Sequence, residues 1–461
     1  MDAVQAFYNQ IQGKTIAVVG VGVSNTPLIR LLVTHGAKVT ACDKKSPQQL
    51  GEIYEELSGL GVTFHTGEGY LDHLDQEIIF KTPGLRRDVP QLLEAERRGA
   101  EITSEMEVFF QLCPCPIVAV SGSDGKTTTT SIIYEMLKQQ GFTCHLGGNI
   151  GRPLLPEIES IRPQDMCVVE LSSFQLHTMK QSPHVAVVTN VTPNHLDWHT
   201  DMAEYIAAKE TLLAHQGKED RAVCNADNPV TADFLRRAKG EALAFSSHGE
   251  VQKGYFLRGR EIIRRMDGQD EPVMDIGEIR IVGMHNVENY MAAMAAVDGL
   301  VSRENMVEVA RNFAGVEHRI EFVRELEGVR YYNDSIASSP TRTIAGLHAF
   351  QQKVILIAGG YDKKIPFDVL GPEIVDHVKT LVLTGATSEK IRAAVENAAG
   401  YQPGQPAILQ CNGMEEAVAA ARKCAQPGDV VTLSPACASF DAYPNFMERG
   451  WKFKELVRQL N

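Results

Sequence analysis

Short apolar runs rich in valine and isoleucine recur along the chain, and each breaks off into glycine or polar residues. Between them lie stretches whose apolar positions fall at helical spacing. The first unit reads "GKTIAVVGVGVSNTPLIRLLVTHGAKVTACDKKS": a strand, a glycine turn, a helix with one apolar face, then a second strand ending at Asp43, which together predict a βαβ unit. The theme returns in "PIVAVSGSDGKTTTT", "DMCVVELSS", "HVAVVTNVT" and "RAVCNADNP", and again in "VRYYNDS", "KVILIAGG", "TLVLTGA" and "DVVTLSPA". Strands alternating with helices predict mostly parallel sheets covered by helices, so the fold class is α/β. Residues 246–280, with "SSHGE" and "RMDGQDEP", lack that period and predict a hairpin-rich insertion.

A chain of 461 residues exceeds one ordinary core, and the pattern divides into three units: 1–113, Rossmann-like; 114–315, a central P-loop ATPase-like parallel sheet; and 316–461, Rossmann-like again. The first boundary is set at "CPCP", residues 113–116. Two prolines there disfavour helix, and no second cysteine pair follows to complete a metal site, so the segment is read as a stiff linker. The nine scattered cysteines are expected to be reduced thiols.

Lysine plus arginine total 45 against 58 aspartate plus glutamate, a net charge of -13, which argues against nucleic acid or an anionic membrane as the main partner. No apolar run approaches the ~20 residues of a membrane span, and "MDAVQAFYNQ" lacks the order of a signal peptide, so a cytoplasmic chain is expected.

Open parallel sheets bind ligands at the carboxyl ends of their strands. After "PIVAV" comes Gly122-Ser123-Asp124-Gly125-Lys126-Thr127-Thr128, a glycine turn entering a helix. Backbone N–H groups and the helix dipole there suit phosphate, Lys126 would reach the outer phosphates and Thr127 would ligate Mg2+. The spacing GxxGKT is two residues shorter than the common GxxxxGK[ST]. Glu170 ends the next strand, and Asn190, His195 and Asp197 follow another, groups suited to a cation on a triphosphate. By residue type alone, His195 reads as a hydrogen-bonded loop residue and Lys209 as a solvated helix lysine.

In order along the chain, "SGSDGKTTTT", "ELSSFQL", "TNVTPNHLDWH" and "GMHNVENYMAA" resemble the segments of the ATP-dependent Mur ligases of peptidoglycan precursor synthesis, and the resemblance covers essentially the whole chain. "NDS" at 333–335 and "LSPACASFDAYPNFMERG" are similar to the branch that adds D-glutamate to UDP-N-acetylmuramoyl-L-alanine. The resemblance implies a monomer with domains for the UDP-sugar, ATP and the amino acid, and an acyl-phosphate route to an amide. It implies that Lys126 contacts phosphate, that Thr127 and Glu170 hold one Mg2+ and His195 a second, and that Lys209, carbamylated by CO2, becomes an anionic oxygen ligand. It puts Asn286 and Asn289 at the adenine side, Arg319 and Asp334 on phosphate and ribose, and Asn149 on the UDP-substrate. Gly22, Val23, Ser24, Asn25 and Thr26 would cradle the UDP diphosphate, with Asp43, Lys44, Pro83 and Gly84 near its uracil end. D-Glutamate would meet Ser338, Lys363, Ser439 and Phe446.

Two positions depart from the family pattern. Ile336 stands where a lysine is common, with Arg342 as a possible substitute cation, and Asp124 stands where asparagine is common. Other readings are a sister ligase for another amino acid, a folylpolyglutamate-synthase-like enzyme, an idle ATP-binding regulator, and an NAD oxidoreductase built on "GVGVSN" and Asp43.

Overall fold

The computed structural model describes residues 3–196 and 198–461, so Asp197 lies outside the described residues. The three predicted sheets are present. The first holds β1 (Thr15–Val19), β2 (Lys38–Asp43), β3 (Thr63–Thr66), β4 (Ile78–Lys81) and β5 (Glu101–Thr103) in the order β3-β2-β1-β4-β5. All its pairings are parallel.

The second sheet comprises β6 (Ile117–Ser121), β7 (Cys144–Gly148), β8 (Met166–Glu170), β9 (Val185–Val188), β10 (Arg221–Asn225), β11 (Glu241–Ser246), β12 (Gly254–Arg258), β13 (Glu261–Met266) and β14 (Gln269–Asp275). Its order is β14-β13-β12-β11-β10-β9-β6-β8-β7. Only β12–β13 and β13–β14 pair antiparallel, so the expected hairpins exist and extend the edge of the parallel sheet. β6 and β8 are buried at every position, as strands covered on both faces must be. The order in which strands are added switches sides at β6, which lies parallel to and between β9 and β8, and their carboxyl ends form the switch point where such sheets bind ligands.

The third sheet contains β15 (Glu321–Leu326), β16 (Val329–Asn333), β17 (Val354–Ala358), β18 (Val378–Leu383), β19 (Ala407–Gln410) and β20 (Val430–Leu433), in the order β15-β16-β20-β17-β18-β19. Only β15 is antiparallel to its neighbour.

Two compact units result rather than three. One runs up to Ile276 and includes Glu288–Val309; the other comprises Gly277–Val287 and Ala310–Asn461. The segment "CPCP" does connect the helix Glu105–Leu112 to β6, but it does not separate compact bodies. One apolar cluster runs from Val4 and Leu28 of the first sheet's layer through Phe109 and Cys115 to Val169 and Leu212 of the second. Cys115 of "CPCP" is buried inside that cluster. Among the described residues no helix is long and apolar enough to cross a membrane.

Candidate active site

The glycine-rich turn after β6 is built as a rigid cradle. The helix Lys126–Gln139 starts immediately after Gly125, whose φ of 80° is left-handed, and Gly122 has φ 148°. A β-carbon on Gly122 would run into the Thr189 hydroxyl, and one on Gly125 into Oδ1 of Asn289. The turn is fastened to the end of β9. Ser123 N donates to Asn190 O at 2.9 Å, Asp124 N donates to Asn190 Oδ1 at 3.0 Å, and Asn190 Nδ2 returns a bond to Asp124 O at 3.2 Å. Ser123 Oγ lies 2.9 Å from the Tyr205 hydroxyl and 2.9 Å from Thr192 O. Asn190 was recognised at the end of its strand; Thr189 and Tyr205 were not, because a threonine and a helix tyrosine carry no signal until the sheet order places them beside the turn.

Three groups converge on this cradle. Lys126 Nζ is 2.9 Å from the carbonyls of both Gly122 and Ser123, folded over the turn. Lys209, on the helix Met202–Ala214, is only 1% exposed, which overturns its reading by residue type as a solvated helix lysine. Its Nζ donates to Gly122 O at 2.8 Å and to Ser121 Oγ at 3.3 Å, and lies 5.0 Å from the Tyr205 ring centre. Burial first, and then the Lys126 charge, push this amine well below the ordinary lysine range, although Asp124 and Glu170 pull the other way.

Glu170 ends β8 and is buried. Asn149 Nδ2 donates to its Oε1 at 2.8 Å, while its Oε2 is buried with no hydrogen-bond partner among the described residues. A carboxylate oxygen so placed is costly unless something else satisfies it, and a cation does so. Asn149, expected on the substrate, is thus also the group that orients Glu170. His195 is exposed, at the left-handed φ of 54°, with its ring edge-on to Phe174 at 4.9 Å. A non-glycine residue held there is the kind of local strain that collects at functional loops. Thr127 and Thr128 occupy the first turn of the loop helix, and Asn289 Oδ1 accepts from Thr129 Oγ1 at 3.1 Å.

Glu204 was missed altogether. It takes Arg86 through Nη2 at 2.8 Å and Nη1 at 3.1 Å, His177 Nε2 at 3.1 Å and the Thr200 N–H at 2.7 Å. These bonds, led by Arg86, hold its carboxyl far below the usual range. Arg86 also donates to Trp198 O, and Trp198 Nε1 to Gly84 O, both at 2.9 Å, so Glu204 ties "TPGLR" to the loop carrying His195. No spacing in the sequence links residues so far apart along the chain.

In the first sheet, the turn after β1 is braced from within. Val21 N and Lys45 N donate to the two carboxylate oxygens of Asp43 at 2.7 and 2.8 Å. Asn25 Nδ2 bonds the carbonyls of Val19 and Gly20 at 3.0 and 2.9 Å. Asp43 and Asn25 therefore shape the turn, leaving the exposed Val23 and Lys44 and the backbone at Gly22 to face outward. Thr26 Oγ1 is buried and has no hydrogen-bond partner, a polar atom beside the start of the helix Asn25–Thr34. Pro83 and Gly84 follow β4, the neighbour of β1 on the opposite side from β2.

In the second compact unit, Asp334 and Ser335 follow β16, Lys363 follows β17 and Ser439 follows β20, three adjacent strands. Arg449, 3% exposed and absent from the sequence reading, joins two of these loops. It donates to Ser335 Oγ at 3.0 Å, Ser335 O at 2.8 Å and Ala438 O at 2.9 Å. Phe446 O accepts from Ser335 Oγ at 2.7 Å, and its ring meets His318 edge-on at 5.8 Å. Lys363 Nζ is 3.4 Å from Ser338 O. Arg342 Nη1 is 3.4 Å from the carbonyl of Ile336. Asn286 Nδ2 donates to Val282 O at 2.6 Å, and Arg319 N donates to Val316 O at 3.0 Å.

Asp334 is buried, with Oδ2 accepting from Ser434 Oγ at 2.8 Å. Burial pushes its carboxyl up to about 7, against the opposing pull of Ser434, the Ile320 N–H, Arg319 and Arg342. An unfolded aspartate ionises near ~3.9, so between these values the folded state binds more protons and stability falls as pH rises, levelling above the folded value. Asp334→Asn is expected to flatten this decline. Unfolding midpoints measured across pH 4 to 8 would check it, and identical slopes for the two proteins would refute it.

Known proteins resemble this chain over nearly its whole length. The Mur ligase middle domain matches residues 120–297, and the Mur ligase, glutamate ligase domain matches residues 318–437. The UDP-N-acetylmuramoylalanine--D-glutamate ligase of Acetivibrio thermocellus is 53% identical over 458 residues, 98% of each chain. The protein of the same name from Clostridium kluyveri is 52% identical over 455 residues, again 98% of each. Among solved structures, the UDP-N-acetylmuramate-alanine ligase of Thermotoga maritima aligns with TM-score 0.59 at 17% identity, covering 96% of this chain and 99% of that one. A pseudomurein peptide ligase type C from Methanothermus fervidus gives 0.53 at 18% identity, covering 97% and 100%. At such identities these two speak for the shared three-sheet fold.

Proposed function

The chain belongs to the Mur ligase family, and we propose that it joins D-glutamate to UDP-N-acetylmuramoyl-L-alanine at the expense of ATP, an amide-forming step of peptidoglycan precursor synthesis. The observation that carries this reading is the meeting of a buried, desolvated Lys209 with the glycine turn beside a Glu170 oxygen that has no partner among the described residues.

A carboxylate is a poor electrophile, so it must first be activated. In the proposed reaction, the alanyl carboxylate attacks the γ-phosphorus of ATP, giving an acyl phosphate and ADP. The D-glutamate amine, having lost a proton, then attacks the acyl carbon and phosphate leaves. Two anions must approach in the first step, and charge placement supplies most of the catalysis of such transfers. The backbone of Gly122–Thr128, with Lys126, is assigned to the β- and γ-phosphates. Two Mg2+ ions, one at Thr127 and Glu170 and a second at His195, with carbamylated Lys209 as a further ligand, would neutralise charge between the triphosphate and the carboxylate.

The residues fit such ions: Glu170 offers an oxygen with no partner among the described residues, and burial shifts Lys209 toward the neutral amine that addition of CO2 requires. Carbamylation forms an N–C bond, releases a proton and leaves an anionic oxygen donor where a cation would otherwise repel the metal. Asn286, Asn289, Arg319 and Asp334 are assigned to ATP. Gly22–Thr26, Asp43, Lys44, Pro83, Gly84 and Asn149 are assigned to the UDP-substrate, Asp43 and Asn25 acting by shaping the turn. Ser338, Lys363, Ser439 and Phe446 are assigned to D-glutamate. The reading carries with it a cytoplasmic monomer.

The test is phosphate release from ATP with UDP-N-acetylmuramoyl-L-alanine held constant and the amino acid varied. Release that requires both the UDP-substrate and D-glutamate is expected. Preference for L-alanine, L-lysine or diaminopimelate would move the chain to a sister activity and point to Ile336.

A further inference from the structure

The segment "CPCP" finds in the fold the third sulfur that it lacks in the sequence. Cys113 Sγ and Cys115 Sγ lie 3.7 Å apart, and Cys167 Sγ lies 3.7 Å from the first and 3.5 Å from the second. Strand register brings them together. β6 pairs with β8 so that Ile117 faces Cys167, and Cys167 N donates to Pro116 O at 3.0 Å. Pro114 and Pro116 fix φ on either side of Cys115, which restricts the spread of the two nearby thiols.

We propose that Cys113, Cys115 and Cys167 form a thiolate site for Zn2+ at the amino ends of β6 and β8. A tetrahedron with Zn–S bonds of about 2.3 Å has S···S edges of ~3.8 Å, and the three sulfurs fall just inside that spacing. A flat three-coordinate arrangement with the same bond length needs ~4.0 Å edges, a poorer match. The sulfurs thus make one face of a tetrahedron, with the fourth vertex left to another donor. Cys115 and Cys167 are buried, and the part-exposed Cys113 marks the way in.

The site is separate from the phosphate turn. It sits at the starts of the two strands whose far ends carry Gly122 and Glu170, so a bound ion would clamp both strands at their base. Binding exchanges thiol protons for the metal, and those protons pass to solvent, so affinity rises with pH. Because an ion held by the folded chain stabilises it by mass action, the unfolding midpoint rises with zinc.

The test uses full-length protein, reduced and freed of metal, titrated with Cd2+ and followed by the ultraviolet sulfur-to-metal band, with Zn2+ as competitor. One Cd2+ per chain, displaced by Zn2+ and accompanied by a higher unfolding midpoint, is expected. Loss of an outer partner costs metal sites ~10–100-fold in affinity, so removing a ligand by Cys113→Ser, Cys115→Ser or Cys167→Ser is expected to cost at least about 100-fold. Cys42→Ser and Cys224→Ser, which remove buried cysteines outside the cluster, are expected to change nothing. Absence of a saturable band in the wild type, or a band surviving all three cluster substitutions, overturns the proposal. Should Cys167→Ser disturb the sheet, Cys113→Ser decides, since Cys113 lies outside the strands.

Discussion

Lys209→Ala is expected to lower the rate of phosphate release by about 100- to 1000-fold, the range seen when one preorganised charge-stabilising group is removed, and added acetate is expected to restore part of it. Burial sets this residue apart. An ordinary lysine is a cation, yet this one is enclosed beside Lys126 with its Nζ on the carbonyl of Gly122, an environment that favours the neutral amine. An amine so shifted would, beside the proposed Mg2+, either donate a hydrogen bond or become a carbamate. Acetate separates the two, because a carboxylate entering the space left by alanine replaces a carbamate's oxygens and cannot replace an amine donor. Lys209→Arg fills that space with a permanent cation, so it should be as impaired and insensitive to acetate. Rescue of the alanine variant by methylamine in place of acetate would favour the unmodified amine.

Gly122→Ala is expected to abolish ATP-dependent turnover, a loss of about 1000-fold or more, while leaving the far-ultraviolet circular dichroism unchanged. At φ 148° an alanine is strained, and its β-carbon would strike the Thr189 hydroxyl and approach Asn190 O to 3.2 Å. Thr189 cannot simply turn away, because its hydroxyl is engaged with Asp124 O and Ser121 O. The turn must shift, and with it the carbonyl on which Lys126 and Lys209 both rest. Adding Thr189→Ala removes the hydroxyl clash but not the φ strain, so partial recovery is expected. Calorimetric titration with an ATP analogue checks the binding step, and wild-type affinity in Gly122→Ala would sink this account.

The candidate site was legible in pieces. The glycine turn before Lys126 stood out because glycines before a lysine at a helix start are local chemistry, and Glu170 because it ends an apolar run. Asn149 was singled out only by the family resemblance, and its bond to Glu170 appears only when β7 and β8 lie side by side. Lys209 illustrates the limit: in the helix "DMAEYIAAKETLLAHQ" nothing local marks it, and resemblance alone assigned it a role. Glu204, Arg449, Thr189 and Tyr205 act through partners distant in sequence, and none was found.

The sequence by itself determined the order of strands and helices, the places where strands end in glycine-rich or acidic residues, and a hairpin-rich insertion within residues 246–280. These follow from side-chain periodicity and turn chemistry, which depend on near neighbours. Only the tertiary structure decided that Lys209 is buried, that one Glu170 oxygen is left unpartnered, that Cys167 joins Cys113 and Cys115, and that Gly277–Val287 belongs with the C-terminal body. Each depends on which strands become neighbours and in what register, a choice made by the collective packing of apolar faces across the whole chain and written in no single segment.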